Sequence, residues 1–175
     1  MDSGAGENVI RGTRLVLRAF GPAEIDDQWR TMANSDRIAV TGLPDEASFK
    51  ARLRRSGHME DGWLDLAIDL DGAVIGRIQT FVPESRRLPP GTFDVGIGLD
   101  ATARGKGYGR EALALFTGWL FEYAAAQVVE AETDPGNASM RAVFGHVGWS
   151  QAGTVTEHGR EWVMYRITRQ EWLAR

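Results

Sequence analysis

A single junction limits the folds open to this chain more tightly than any other stretch: between Val95 and Leu113 an apolar strand runs through a basic, glycine-rich turn into a helix. Backbone N–H groups of such a turn and of the first helical turn converge on one point, where the helix dipole adds partial positive charge. Phosphate groups bind at helix N-termini for this reason. Glycines at 105, 107 and 109 remove the Cβ atoms that would keep a ligand from those amides. A plain strand-to-helix connection would also use glycine for its geometry, but Arg104, Lys106 and Arg110 surround these glycines and favour an anion cradle.

Spacing narrows the ligand. A Walker A loop needs Gly-Lys followed by Ser or Thr, whereas Gly105-Lys106 is followed by Gly107. The dinucleotide fingerprint fails as well, because it requires glycine where Arg110 stands. What remains is R-x-x-G-x-G, met by Arg104, Gly107 and Gly109. This pattern resembles the pyrophosphate motif of the GNAT (Gcn5-related N-acetyltransferase) superfamily, which holds acyl-coenzyme A. Thr13-Arg14-Leu15-Val16-Leu17-Arg18 resembles the first strand of the RimJ/RimL-like branch. Asp134-Pro135-Gly136-Asn137, followed by Gly148-Trp149, resembles that branch's Asp-Pro-x-Asn segment and its closing Gly-Phe. The order and separations agree from about Arg14 to Leu173.

The 175 residues suit one domain that buries a core without staples. We expect a flexible tail over residues 1–12, acidic and small, and a single acyltransferase domain over 13–175. Zero cysteines exclude disulfides, thiol nucleophiles and thiolate metal sites, and fit a cytoplasmic protein. The N-terminus does not read as a signal peptide, and no apolar run reaches membrane length. A net charge of −4 argues against a general nucleic-acid binder.

Periodicity predicts an alternating α/β chain without repeats. Strands are expected over residues 14–20, 63–70, 73–82, 92–99, 127–133, 150–156 and 161–168. Helices are expected from Gly21-Pro22, where Ile25, Trp29 and Met32 share a face, and over 45–55, 107–124 and 137–147. Asp71-Gly72 is the strongest hairpin signal. The fold class is therefore α/β, a mixed sheet with helices on both faces. The resemblance implies a central, mostly antiparallel twisted sheet of six to seven strands, splayed at the acyl-CoA site.

Transfer of an acyl group from a thioester to an amine needs a base for the amine's proton, a donor for the tetrahedral oxyanion and a proton for the departing thiolate. The resemblance implies that Ile97, Gly98 and Leu99 bind pantetheine. It gives the pyrophosphate to the loop Arg104, Gly105, Lys106, Gly107, Tyr108, Gly109 and Arg110, and sets Asn137 and Phe144 near the pantetheine end. Gly96 and Gly98 allow close approach, and they would equally mark a bulge. Glu132 and Asp94 are the candidate bases, either working through water; each would otherwise be an ordinary strand carboxylate. Glu130 shares parity with Glu132, so both face one side of the sheet. Many relatives carry Tyr seven residues after the motif Asn, and here that place is Phe144. Branch members often carry Ser three residues after the Asn; here Met140 holds that position and Ser139 precedes it. Asn137 would serve pantetheine or only cap a helix.

The expected reaction is transfer of an acetyl group from acetyl-CoA, as co-substrate, to a primary amine of a protein N-terminus, an amino acid or an aminoglycoside-like small molecule. A non-catalytic acyl-CoA-binding module and a transferase using a larger donor such as succinyl-CoA are the rivals. Candidate acceptor walls are residues 34–44, the 83–91 loop, the turn at Glu157 to Arg160 with His158, and Trp149 and Trp162. His58 and His146 lack ligand partners at useful spacing, so no metal is expected. Expected partners are a small-molecule or peptide amine and, for assembly, a homodimer.

Overall fold

The computed structural model describes residues 7–33, 44–83, 87–157 and 159–175. Among them eight strands form one sheet in the order β1-β2-β3-β4-β5-β6-β8-β7. These are β1 (Ile10–Arg11), β2 (Leu15–Arg18), β3 (Leu64–Leu70), β4 (Ala73–Phe81), β5 (Thr92–Leu99), β6 (Val128–Thr133), β7 (Ser150–Glu157) and β8 (Arg160–Thr168). The helices are α1 (Pro22–Ala33), α2 (Glu46–Leu53), α3 (Tyr108–Tyr123), α4 (Ala138–His146) and α5 (Arg169–Leu173). All neighbours pair antiparallel except β5 and β6. No helix among the described residues is long and apolar enough to cross a membrane.

The eighth strand corrects the expected count of six to seven. Ile10 pairs with Leu17 and Arg11 with Val16, and Asn8 donates through its amide side chain to Gly57 O at 2.8 Å. Part of the segment expected as a tail is thus built into the sheet edge. Conversely β2 is shorter than the run 14–20, because Ala19 and Phe20 turn away and Phe20 N–H donates to Ser56 Oγ at 2.8 Å. The Asp71-Gly72 hairpin forms with φ of +54° and +88° at its two central residues, the type I′ signature.

Strand alternation divides the core in two. One face presents Leu15, Leu17, Leu66, Ile68, Ile78, Val95, Val129 and Ile167 to α3 and α4, whose Phe116, Leu120 and Phe144 are buried against them. The other face, through Ala67, meets Phe20, Ile25, Phe49 and Leu53 of the α1–α2 layer. α3 buries Ala112, Leu113, Phe116, Thr117, Leu120 and Phe121, the stripe its 3.6-residue repeat requires. Thr117, alone polar in that stripe, donates to Leu113 O at 2.7 Å.

Candidate active site

The parallel seam between β5 and β6 is short. Thr92 pairs with Val128, Phe93 with Val129 and Asp94 with Glu130; beyond Asp94, β5 stays with β4 while β6 turns to β8. Alternate peptide groups of a strand point to opposite neighbours, so from Val95 onward those of β5 aimed toward β6 face an opening. Two cavities meet there. One of about 670 Å³ is lined by Gln28, Thr31 and Met32 of α1, by Arg77 and Gln79 of β4, and by Gly96 to Leu99. The other, about 340 Å³, shares Gly96 and Ile97 and is walled by Glu132, Asp134, Asn137, Phe144, Arg160 and Trp162. The opening is a slot through the sheet with chemistry available on both sides.

At the strand's end the chain bends through Ala101 to Ala103 into the glycine loop. Gly105 and Gly107 have φ of +72° and +82°, and Gly107 is the N-cap of α3. A Cβ added at Gly105 would meet nothing within 4 Å, so space stands open over the turn. Glu111 N–H makes the first intrahelical bond, to Gly107 O at 3.2 Å, which leaves the amides of Tyr108, Gly109 and Arg110 ahead of it. Arg104 folds back and donates through Nε to Leu99 O at 3.0 Å, tying the loop to the strand. Lys106 and Arg110 are exposed beside it. Burial pushes the nearby Asp100 carboxyl up from its ordinary value, with Arg104 opposing.

One brace of this loop was missed in the sequence. Arg14, just before β2, donates through Nε to Glu111 at 2.8 Å and through Nη1 to Lys106 O at 3.2 Å, and its guanidinium lies 4.8 Å from the Tyr108 ring centroid. Glu111 also accepts from the backbone N–H of Arg14 and Leu15, at 2.7 and 3.2 Å. Burial works against its charge, yet these bonds outweigh it and hold the carboxyl below its usual value. The Lys106 carbonyl is thereby tied to Arg14.

The expected bases separate in position. Asp94, Glu130 and Glu132 face the same side of the sheet, as the register requires. Asp94 is 1% exposed at the last paired position and lines neither cavity, whereas Glu132 is half-buried in the wall of the smaller one. Asn137 caps α4, its Oδ1 accepting from Met140 N at 3.1 Å, and also lines the cavity. Ser139 is exposed on the second residue of α4 and is not among the lining residues. Phe144 is sandwiched between Trp149 and Tyr165, with centroids at 5.2 and 4.7 Å. Of the two tryptophans expected as walls, Trp162 lines the smaller cavity beneath the Arg160 guanidinium, which also pairs with Asp134. Trp149, by contrast, is buried behind Phe144. His158 and residues 34–43 and 84–86 lie outside the described residues.

The model of the acetyltransferase (GNAT) domain family matches residues 14–150. Among curated proteins none matches. Solved structures of the same fold include an acetyltransferase from Agrobacterium tumefaciens, 24% identical, covering 95% of this chain and 98% of that one with a TM-score of 0.72. RimJ of Mycobacterium smegmatis in complex with CoA-disulfide is 19% identical, with 96% and 94% covered and a TM-score of 0.72. Aminoglycoside acetyltransferase AAC(6')-Ib in complex with coenzyme A and kanamycin is also 19% identical, with 91% and 98% covered and a TM-score of 0.75.

Proposed function

Because the chain belongs to the GNAT acetyltransferase family and is an acetyl-CoA-dependent enzyme of that class, we propose that it transfers acetyl from acetyl-CoA directly to a primary amine in a ternary complex. The observation that carries this reading is the conjunction of the β5–β6 opening with the amide-lined loop at the end of the same strand. In it the loop amides and Arg104 take the pyrophosphate, and the peptide groups of Ile97 to Leu99 take the pantetheine arm. The thioester then lies in the slot beside Gly96 and Ile97, the residues common to both cavities.

Glu132 is the base we favour. It lines the same cavity as Gly96, and a water between it and an amine entering there relays the proton. Asp94, one strand over, is buried at the last paired position of the seam. A backbone N–H of β5 at the slot polarises the thioester carbonyl and stabilises the oxyanion. Phe144 has no proton to give, so the departing thiolate takes its proton from solvent at the mouth near Asn137.

The RimJ/RimL-like sequence at Thr13 to Arg18 and Asp134 to Asn137 supports placing the chain in that branch, and the absence of cysteine supports a cytoplasmic setting. The aminoglycoside enzyme solved with kanamycin shares its fold, which supports a small-molecule amine as one acceptor class.

The test is free-thiol release from acetyl-CoA across a panel of amines, with succinyl-CoA in parallel. Amine-dependent release with acetyl-CoA is expected, and Glu132→Gln should lower kcat by about 10²–10⁴-fold, the range for loss of a general base. CoA binding without thiol release from any amine would replace the reading with a binding module. Release with succinyl-CoA alone would replace the donor.

A further inference from the structure

The glycine turn ahead of α3 is held by a residue from far back in the chain. Gly105 and Gly107 sit at φ of +72° and +82°, and glycine gives up more freedom than any other residue when a turn is fixed. Backbone bonds secure only the two ends of this turn: Arg104 N–H reaches Ala101 O at 3.3 Å, and Glu111 N–H reaches Gly107 O at 3.2 Å. Between them, among the described residues, the one hydrogen bond to Gly105 or Lys106 comes from Arg14 Nη1 to Lys106 O, at 3.2 Å.

Arg14 is itself held from several sides. Glu111, in the first turn of α3, accepts from Arg14 Nε on one carboxylate oxygen at 2.8 Å. Its other oxygen accepts from the backbone N–H groups of Arg14 and Leu15, at 2.7 and 3.2 Å. The guanidinium carbon lies 4.8 Å from the Tyr108 ring centroid. The chain passes this close to α3 because residue 12 is glycine: a Cβ there would collide with Leu115 Cδ1 and lie 2.9 Å from Glu111 Oε1. The start of β2, the first turn of α3 and the turn at Lys106 therefore form one hydrogen-bonded unit.

Arg14 and Glu111 carry opposite charges, so together they add no net charge to the anion site; what they supply is shape. Arg14 is also 44% exposed, where an ion pair adds little to the stability of the fold. A turn already held in place loses less freedom when a ligand settles on it, and the difference appears as affinity.

We propose that Arg14 is a positioning residue for the donor: braced by Glu111, it holds the turn from Gly105 to Gly107 in the shape that receives the pyrophosphate, and so sets the affinity for acetyl-CoA through the loop. This rests on the placement of the pyrophosphate at that turn. By linkage the coupling runs both ways, and a bound donor tightens the start of β2.

The test is calorimetry with CoA, run well below the Tm of each variant. Arg14→Gln should weaken binding at least fivefold, and so should Arg14→Gln combined with Glu111→Gln, which leaves the net charge as it was. Arg14→Lys, which keeps the charge without the planar fork, should fall between Arg14→Gln and the parent. Arg18→Gln cuts the ion pairs to Glu24 and Asp69 at the other end of β2, and should lower Tm while leaving CoA affinity within twofold. In turnover, Arg14→Gln should raise KM for acetyl-CoA at least fivefold with kcat within twofold. On the unaltered protein, saturating CoA should slow hydrogen exchange of the Arg14 and Leu15 amides at least threefold. A smaller loss of affinity in both Arg14→Gln variants, an equal loss in Arg18→Gln, or a fall in kcat at unchanged KM overturns the proposal. Should the variants not fold, a smaller change in exchange at those two amides overturns it alone. Failure of the parent to bind CoA removes the pyrophosphate cradle and this proposal with it, whereas binding without thiol release removes the acetyl-transfer reading and leaves the positioning role standing.

Discussion

At φ +82° Gly107 enters α3 in a left-handed conformation that costs an L-residue about 1–2 kcal/mol. A Cβ there would lie 3.5 Å from Arg14 Nη2, and a glutamate brings negative charge to the loop that awaits the pyrophosphate. For Gly107→Glu we therefore expect CoA affinity to fall at least 100-fold by calorimetry while Tm drops by only a few degrees, since about 1 kcal/mol moves a domain of this size by roughly 2–4 °C. Retained micromolar binding would refute the cradle. The glycine spacing was legible in the sequence because the whole device is local. Arg14 was not, because the bonds that join it to Lys106 and Glu111 close over 92 and 97 residues. Ser139 shows the opposite limit: its chemistry was readable, but α4 begins at Ala138 and leaves it outside the cavity.

Two glycines on neighbouring strands separate fold from function at the level of β4 and β5. A Cβ at Gly76 would lie 2.3 Å from Gly98 O, a backbone atom that cannot swing aside, whereas a Cβ at Gly98 meets nothing within 4 Å. Gly76→Ala should cost about 1–3 kcal/mol by overpacking and lower Tm accordingly. Gly98→Val should leave Tm within about 1–2 °C of the parent, since its site is open, yet reduce kcat/KM for acetyl transfer at least tenfold by filling the cleft. Equal behaviour of the two variants in thermal melts would contradict the description of this strand pair. Asp71-Gly72 had revealed β4, and the apolar run into the glycine turn had revealed β5. A two-residue β1 carries no period, and five-residue α5 was missed although Thr168 and Glu171 form a capping box, the one local signal that announces it. The slot itself was foreseen only through the family resemblance, because the register at which two strands part is written in neither strand alone.

For the molecule as a whole, the sheet is the wall between two cores, and polar links join the layers. Arg18 of β2 bonds Glu24 of α1 at 2.8 Å and Asp69 of β3 at 2.6 Å. The bond from Arg18 holds the Glu24 carboxyl below its ordinary value of 4.5, against the pull of burial. A carboxyl so lowered contributes its stability fully above the unfolded value, and the contribution vanishes as pH falls through the lower folded one. Glu24→Gln should thus lower Tm at pH 7 by an amount corresponding to about 1 kcal/mol, with the difference shrinking as pH falls below the ordinary value of 4.5. A pH-independent difference would show that the charge plays no part. The Ala67 face and the Leu66 face were legible as alternation in the sequence; which helix covers which was not, because α1 and α3 are both amphipathic and either could have taken either side.

Among the described residues the strand pairing between the β1–β5 half of the sheet and the β6–β8–β7 half is three residue pairs long, from Thr92–Val128 to Asp94–Glu130. Within the sheet that seam is a narrow spine, backed on one face by the core that α3 and α4 share with both halves. A donor lying along β5 would act as a temporary extra strand binding the two halves, so its free energy of binding would appear in the melting curve as RT ln(1 + [L]/Kd). The catalyst is then at its stiffest when loaded and most easily opened after the product leaves.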